Sequence, residues 1–220
     1  MNIEQQLAAV RRYTCKKMKN DKTGHGFDHI QRVVATAQYL AAHESQTTDR
    51  LIVISAAYLH DIADDKLVAD PQKSEAELRL FLESIEFSTT QIAAVVAITH
   101  NLSFSKSLEK NPPQLSLAGQ IVQDADRLDA IGAIGIARAI YYGGAHQETI
   151  YDPQIKPRKS LSKTEYRNLN NETIINHFYE KLLKLKELMN TVSGKQLAEQ
   201  RQRFMLTFLT EFKAEWQGKS

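Results

Sequence analysis

Apolar residues recur at three- and four-residue spacing along most of the chain, the signature of helices that each bury one stripe. Ile3, Leu7, Val10 and Tyr13 predict a first helix over residues 2–20. Thr23-Gly24-His25-Gly26 breaks the pattern. Asp28 then stands as the cap of a second helix reaching about His43, with Ile30, Val33, Val34, Ala37 and Leu40 on one face. The next segment differs in kind. Asp49 occupies a capping position, and Leu51 to Leu59 is apolar nearly all round, so this helix belongs at the centre of the core. It runs straight into His60-Asp61-Ile62-Ala63-Asp64-Asp65. A loop over 66–73 ends in a short helix to about Ile85, opened by a Ser74/Glu77 capping box. Ser88 or Thr89 opens another, with Ile92, Val95, Val96 and Ile98 inside and its end near His100-Asn101.

In the second half, Asn111-Pro112-Pro113 is a stop. Leu115 to Tyr142 reads as helical, interrupted by the charged stretch from Asp124 to Asp129 and followed by the small-residue run from Ala130 to Ala137. Gly132 and Gly135 in that run would let another helix approach closely. Residues 143–170 read as a long loop, the kind that is usually a functional lid or disordered. Helix returns from about Glu172 to Asn190, Gly194 breaks it, and a last helix runs to about Trp216. No segment reads as a β-strand and no repeat or composition shift marks a second domain. The expectation is an all-α chain of one domain, with a core over about 20–142 and a loop and helical extension over about 143–217.

Composition changes this picture little. A chain of 220 residues with 42% hydrophobic and 25% charged positions is ordinarily globular, and 9 Gly and 5 Pro are too few for a turn-rich β architecture. A net charge of +2 is too balanced to argue for a nucleic-acid or membrane-surface partner on charge alone. Cys15 is the single cysteine, which excludes an intrachain disulfide and fits a reducing cytoplasm. The opening residues carry polar side chains where a signal peptide needs an apolar run.

The chemistry gathers where polar residues interrupt apolar helices. His60-Asp61 ends the most apolar helix, and a buried carboxylate there needs compensation that a divalent cation would supply. His29 lies on the inward face of Val33 and Ala37. Asp124 and Asp126 compete for a further ligand place, because two residues apart they cannot both face one point on a regular helix. Two imidazoles and two carboxylates suit Mn²⁺, Fe²⁺ or a similar ion better than Ca²⁺, and leave positions open for water and substrate. Around this set, Asp64 is placed on the same side as His60 and Asp61. His25 precedes His29 by one turn, and His100 ends a buried helix, where the helix dipole alone can explain it. Asp129 lies on the face of Asp126, while Arg127 and Arg32 suit either a phosphate or a structural partner. His177 and Lys181 share a face, and the basic segment containing Lys156 and Arg158 suits polyphosphate.

Taken together, His29, His60-Asp61 and Asp126 within Asp124-Ala-Asp-Arg-Leu-Asp129 resemble the HD phosphohydrolase superfamily. The resemblance implies an all-α helical bundle, with metal ligands at His29, His60, Asp61 and Asp126; it decides for Asp126 over Asp124. The stretches Gln123–Arg138 and Asn176–Lys186 are similar to a bacterial branch of small stand-alone HD hydrolases that includes manganese-dependent enzymes splitting nucleoside triphosphates to monophosphate and pyrophosphate. In the guanosine-tetraphosphate hydrolase branch an acidic pair at the offset of Asp64 and Asp65 orients or deprotonates the attacking water. The implied enzyme carries Mn²⁺, with Mg²⁺, Fe²⁺, Ni²⁺ or Co²⁺ as alternatives, and Asp64 and Asp65 as its catalytic residues, one or other taking or directing the proton of the water. His25, His100, Lys156, Arg158, His177 and Lys181 are the expected substrate contacts. The expected partner is a small phosphorylated molecule, with a homodimer open and neither membrane nor nucleic acid involved. The alternatives are a phosphomonoesterase, a cyclic-nucleotide phosphodiesterase or a guanosine-tetraphosphate hydrolase of the same superfamily, and a nucleotide-binding sensor without turnover.

Overall fold

The structure of the chain, a computed structural model, describes residues 1–19, 26–62, 70–103, 106, 114–158 and 173–219. Among them the protein is all-α. The helices are α1 (Ile3–Lys17), α2 (Phe27–His43), α3 (Arg50–Leu59), α4 (Pro71–Ser84), α5 (Thr89–Asn101), α6 (Leu117–Asp129), α7 (Gly132–Ala145), α8 (Ile174–Glu180) and α9 (Val192–Trp216), with a 3₁₀ helix at Leu182–Leu188. The β structure among the described residues is one isolated parallel bridge, Thr149 to Thr173. No helix among them is long and apolar enough to cross a membrane. The chain divides into two compact units, Met1–Asp126 and Arg127–Ser220.

In the first unit α3 is the centre, packed against α1, α2 and α5, and α4 packs on α5. Its all-round apolar surface dictates that place: Leu51, Val53, Ile54, Ala56, Ala57 and Leu59 are all buried. Asp49 caps it, accepting from the amides of Leu51 and Ile52. The α2 stripe of Ile30, Val33, Val34, Ala37 and Leu40 is buried as expected. Two helix starts and one buried face differ from the sequence reading. Gly26, not Asp28, is the N-cap of α2, and Asp28 instead places a negative charge in the first turn and pairs with Arg32 at 2.8 Å. Helix α4 begins three residues before Ser74, because Asp70 caps Lys73 and Pro71 stands at the first helical position, where its missing amide costs nothing. Ile3 opens α1 but is exposed; Gln6, Ala9 and Thr14 join Leu7 and Val10 on the buried face.

In the second unit α9 packs on α7 and on the 3₁₀ helix, and α8 packs on both as well. The expected helix over 172–190 is interrupted. At Lys181 the backbone leaves the helical region (φ −131°, ψ −61°), and the chain tightens into the 3₁₀ helix. Residues three apart eclipse in that geometry, which buries Leu182 and Leu185 together. Gly194 does not break a helix. It is the third residue of α9, its amide satisfied by the Thr191 side chain. Gly132 has φ +78°, a conformation that favours glycine, and starts α7. At Gly135 a Cβ would lie 2.3 Å from the carbonyl oxygen of Ala130, so the close approach there is to the preceding turn, not to another helix.

Candidate metal centre

Three elements of the first unit bring titratable side chains to one point. His29 sits in the first turn of α2, fully buried, because its neighbours Ile30 and Val33 turn that face inward. His60 and Asp61 follow directly on α3 and are buried with its end. Asp126 comes from the last turn of α6, on a helix anchored by buried Ile121, Val122 and Ala125.

The atoms converge closely. His29 Nε2 lies 3.3 Å from His60 Nε2 and 3.5 Å from Asp126 Oδ1. His60 Nε2 is 3.8 Å from the same oxygen. Asp61 Oδ2 is 3.3 Å from His60 Nε2 and 3.7 Å from His29 Nε2. Among the described residues, His29, His60 and Asp126 form the group whose ligand atoms all lie within 4.8 Å of one another. These spacings are longer than good hydrogen bonds. They match what donors about 2.0–2.2 Å from a shared ion adopt around it, and the donor set of imidazoles and carboxylates suits a divalent first-row metal. The residues therefore fit the ion that the HD resemblance implies.

The orientation of His60 supports the same use. Its Nδ1 is 2.9 Å from the Ala57 carbonyl, which can only accept, so Nδ1 carries the proton and Nε2 turns its lone pair to the group in the neutral ring. Burial pulls the His60 pKa down, but Asp61 and Asp126 together with the Ala57 carbonyl outweigh it and raise the pKa to about 10. A cation and a proton compete for that nitrogen. The Ala57 contact was not among the sequence expectations; its signal is only that Ala57 lies one turn before His60 on an apolar helix.

The remaining expected residues divide. Asp64, Asp65 and His25 lie outside the described residues. Asp124 is completely buried, whereas Asp126, the partner the resemblance favoured, joins the histidines. His100 is exposed and meets Glu75 at 3.3 Å across α5 and α4. In the second unit, the Lys156 ammonium donates to the Pro153 carbonyl at 3.0 Å. Arg158 is held by the buried Glu180, through its backbone amide at 2.8 Å and its Nε at 2.7 Å. His177 and Lys181 are half-buried at the end of α8, beside the buried Phe178 and Leu182. Arg127 donates to the Leu188 carbonyl and Asp129 accepts from Arg138 at 2.8 Å, so both have structural partners.

Comparison with known proteins adds to this geometry. The HD domain family matches residues 26–131. A Lactobacillus plantarum protein of solved structure is 47% identical, with 98% of each chain covered and a TM-score of 0.85. An HD-superfamily hydrolase from Bacillus thuringiensis is 36% identical over 98% of this chain and 99% of its own, with a TM-score of 0.77. Bacillus subtilis YpgQ, solved in complex with ADP, is 32% identical over 98% of this chain and 97% of its own, also with a TM-score of 0.77.

Proposed function

The chain belongs to the HD-domain superfamily of metal-dependent phosphohydrolases, and from that premise we propose that it cleaves nucleoside triphosphates to monophosphate and pyrophosphate with Mn²⁺ as its ion. The observation that carries the reading is the meeting of His29, His60 and Asp126, with Asp61 against both imidazoles. The dense likeness of 123–138 and 176–186 to the triphosphate-splitting branch supports the substrate, and the ADP held by YpgQ supports a nucleotide.

In this reading His29, His60, Asp61 and Asp126 hold the ion. When bound, the ion supplies an acidified water as nucleophile and offsets charge on the phosphoryl oxygens. The protein's share is positioning. The Ala57 carbonyl fixes the His60 ring, the buried α3 fixes Asp61, and α6 brings Asp126 across from them. Asp64 or Asp65 takes or directs the proton of the attacking water. His25, His100, Lys156, His177 and Lys181 serve the polyphosphate, and Arg158 joins them by exchanging the Glu180 carboxylate for a phosphate. The chain works in the cytoplasm, in keeping with a nucleotide substrate and a single cysteine.

The test is a panel of nucleotides incubated with the purified protein and Mn²⁺, with products separated by chromatography. Monophosphate with pyrophosphate is the expected pair. Release of orthophosphate alone would point to the phosphomonoesterase alternative, and no cleavage with any divalent ion overturns the reading.

A further inference from the structure

Asp126 lies in the last turn of α6, the part of a helix that frays and whose carbonyls lack partners within the helix. The three residues that follow it are each gripped by a different C-terminal element. The Arg127 guanidinium donates to the carbonyl of Leu188 at the end of the 3₁₀ helix. The Leu128 carbonyl accepts from the Arg201 guanidinium of α9. Asp129, buried, accepts from Arg138 of α7. Arg201 reaches its place along Gly132: a Cβ there would lie 2.9 Å from Arg201 Cγ and 3.0 Å from its Cβ, so the glycine makes room for the arginine stem. Burial lowers the Arg201 pKa, and Asp129 opposes that, so the cation is set where a carboxylate compensates it.

We propose that Arg201 is a positioning residue for Asp126: by holding the last turn of α6 closed at the Leu128 carbonyl, it keeps the Asp126 carboxylate in register with His29 and His60. Arg201 lies well beyond residues 26–131, so the role falls to a residue outside the matched HD stretch. The inference rests on the metal-site reading above.

The experiment is titration of the metal-free chain with Mn²⁺ by calorimetry, for wild type, R201Q, R201K and R203Q, paired with activity measured against Mn²⁺ concentration. Arg203 is exposed on the same helix and serves as the control. R201Q is expected to weaken the ion about 10- to 100-fold, the range for residues that orient a metal ligand, and to shift the activity midpoint to higher Mn²⁺ by the same factor. Saturating Mn²⁺ should restore most of its activity. R201K, which keeps the charge but loses the fork, should fall between R201Q and wild type, and R203Q should match wild type. A merely destabilised variant would lose active protein without moving the midpoint, and an unmoved midpoint in R201Q overturns the proposal. If R201Q does not fold, R201K decides: wild-type affinity there overturns the role. Wild type that binds no divalent ion overturns the metal-site reading and this inference together, whereas tight wild-type binding with unchanged R201Q affinity defeats the Arg201 role alone.

Discussion

His60 gives one ring nitrogen to the Ala57 carbonyl and turns the other to the cluster of His29, Asp61 and Asp126, and its protonation sets the expected pH behaviour of the proposed metal site. Its pKa in the folded, ion-free chain is raised to about 10. The stabilisation from the imidazolium is therefore complete below the ordinary histidine value near 6.5 and is lost as pH rises through about 10. An ion must displace that proton, so Mn²⁺ affinity is expected to climb as pH rises toward about 10 and level off above it, with proton release on binding below it. Calorimetry in buffers of different ionisation enthalpy measures both. His60→Ala removes a proposed ligand outright and should weaken the ion by more than about 100-fold, read as metal content after gel filtration. The sequence made His29 and the His60-Asp61 pair legible because both stand where an apolar helix has no other use for a polar group. It could not choose between Asp124 and Asp126 from helical spacing. The choice came from the resemblance; in the structure Asp126 Oδ1 stands 3.5 Å from His29 Nε2 and 3.8 Å from His60 Nε2, while Asp124, on the same helix, is completely buried.

At the scale of the helix, the caps carry the clearest expectations. Asp49 accepts two amides at the head of α3, the helix against which three others pack. Asp49→Ala is expected to cost about 1 kcal/mol in urea unfolding, and to weaken the ion as well, because the far end of α3 presents His60. Elements with one strong signal were readable: α2, α3 and α5 follow their apolar patterns, and of the two openers the sequence offers for α5, Ser88 is the cap. Elements with two competing signals were not. Ser74 with Glu77 spells a capping box, yet Asp70 and Pro71 start the helix earlier. The stretch from Asn176 to Lys186 has an unbroken helical pattern, and only tertiary packing of Leu182 and Leu185 shows why it tightens at Lys181. Gly194 looks like a breaker in sequence but sits in a first turn, where a side-chain cap offsets its freedom.

For the molecule as a whole, an ion bound only by the folded chain adds stability by mass action. At about 100 times its dissociation constant it should contribute about 2.7 kcal/mol, or a rise of about 5–10 °C in thermal midpoint that EDTA reverses. A chelator-insensitive midpoint would mean that the folded chain has no such preference for the ion. The order of the ligands along the chain gives that stabilisation a further character. His29 and His60 stand 31 positions apart, and the span from Asp61 to Asp126 is roughly twice as long. With one cysteine the chain cannot tie these distant segments covalently. A cation held at the proposed ligands His29, His60, Asp61 and Asp126 would do what a cross-link does, closing two consecutive loops at one knot and denying the unfolded chain the conformations that separate them. Unlike a disulfide, the knot opens and closes with the supply of a soluble ion, so the persistence of the fold becomes a readout of the metal around it.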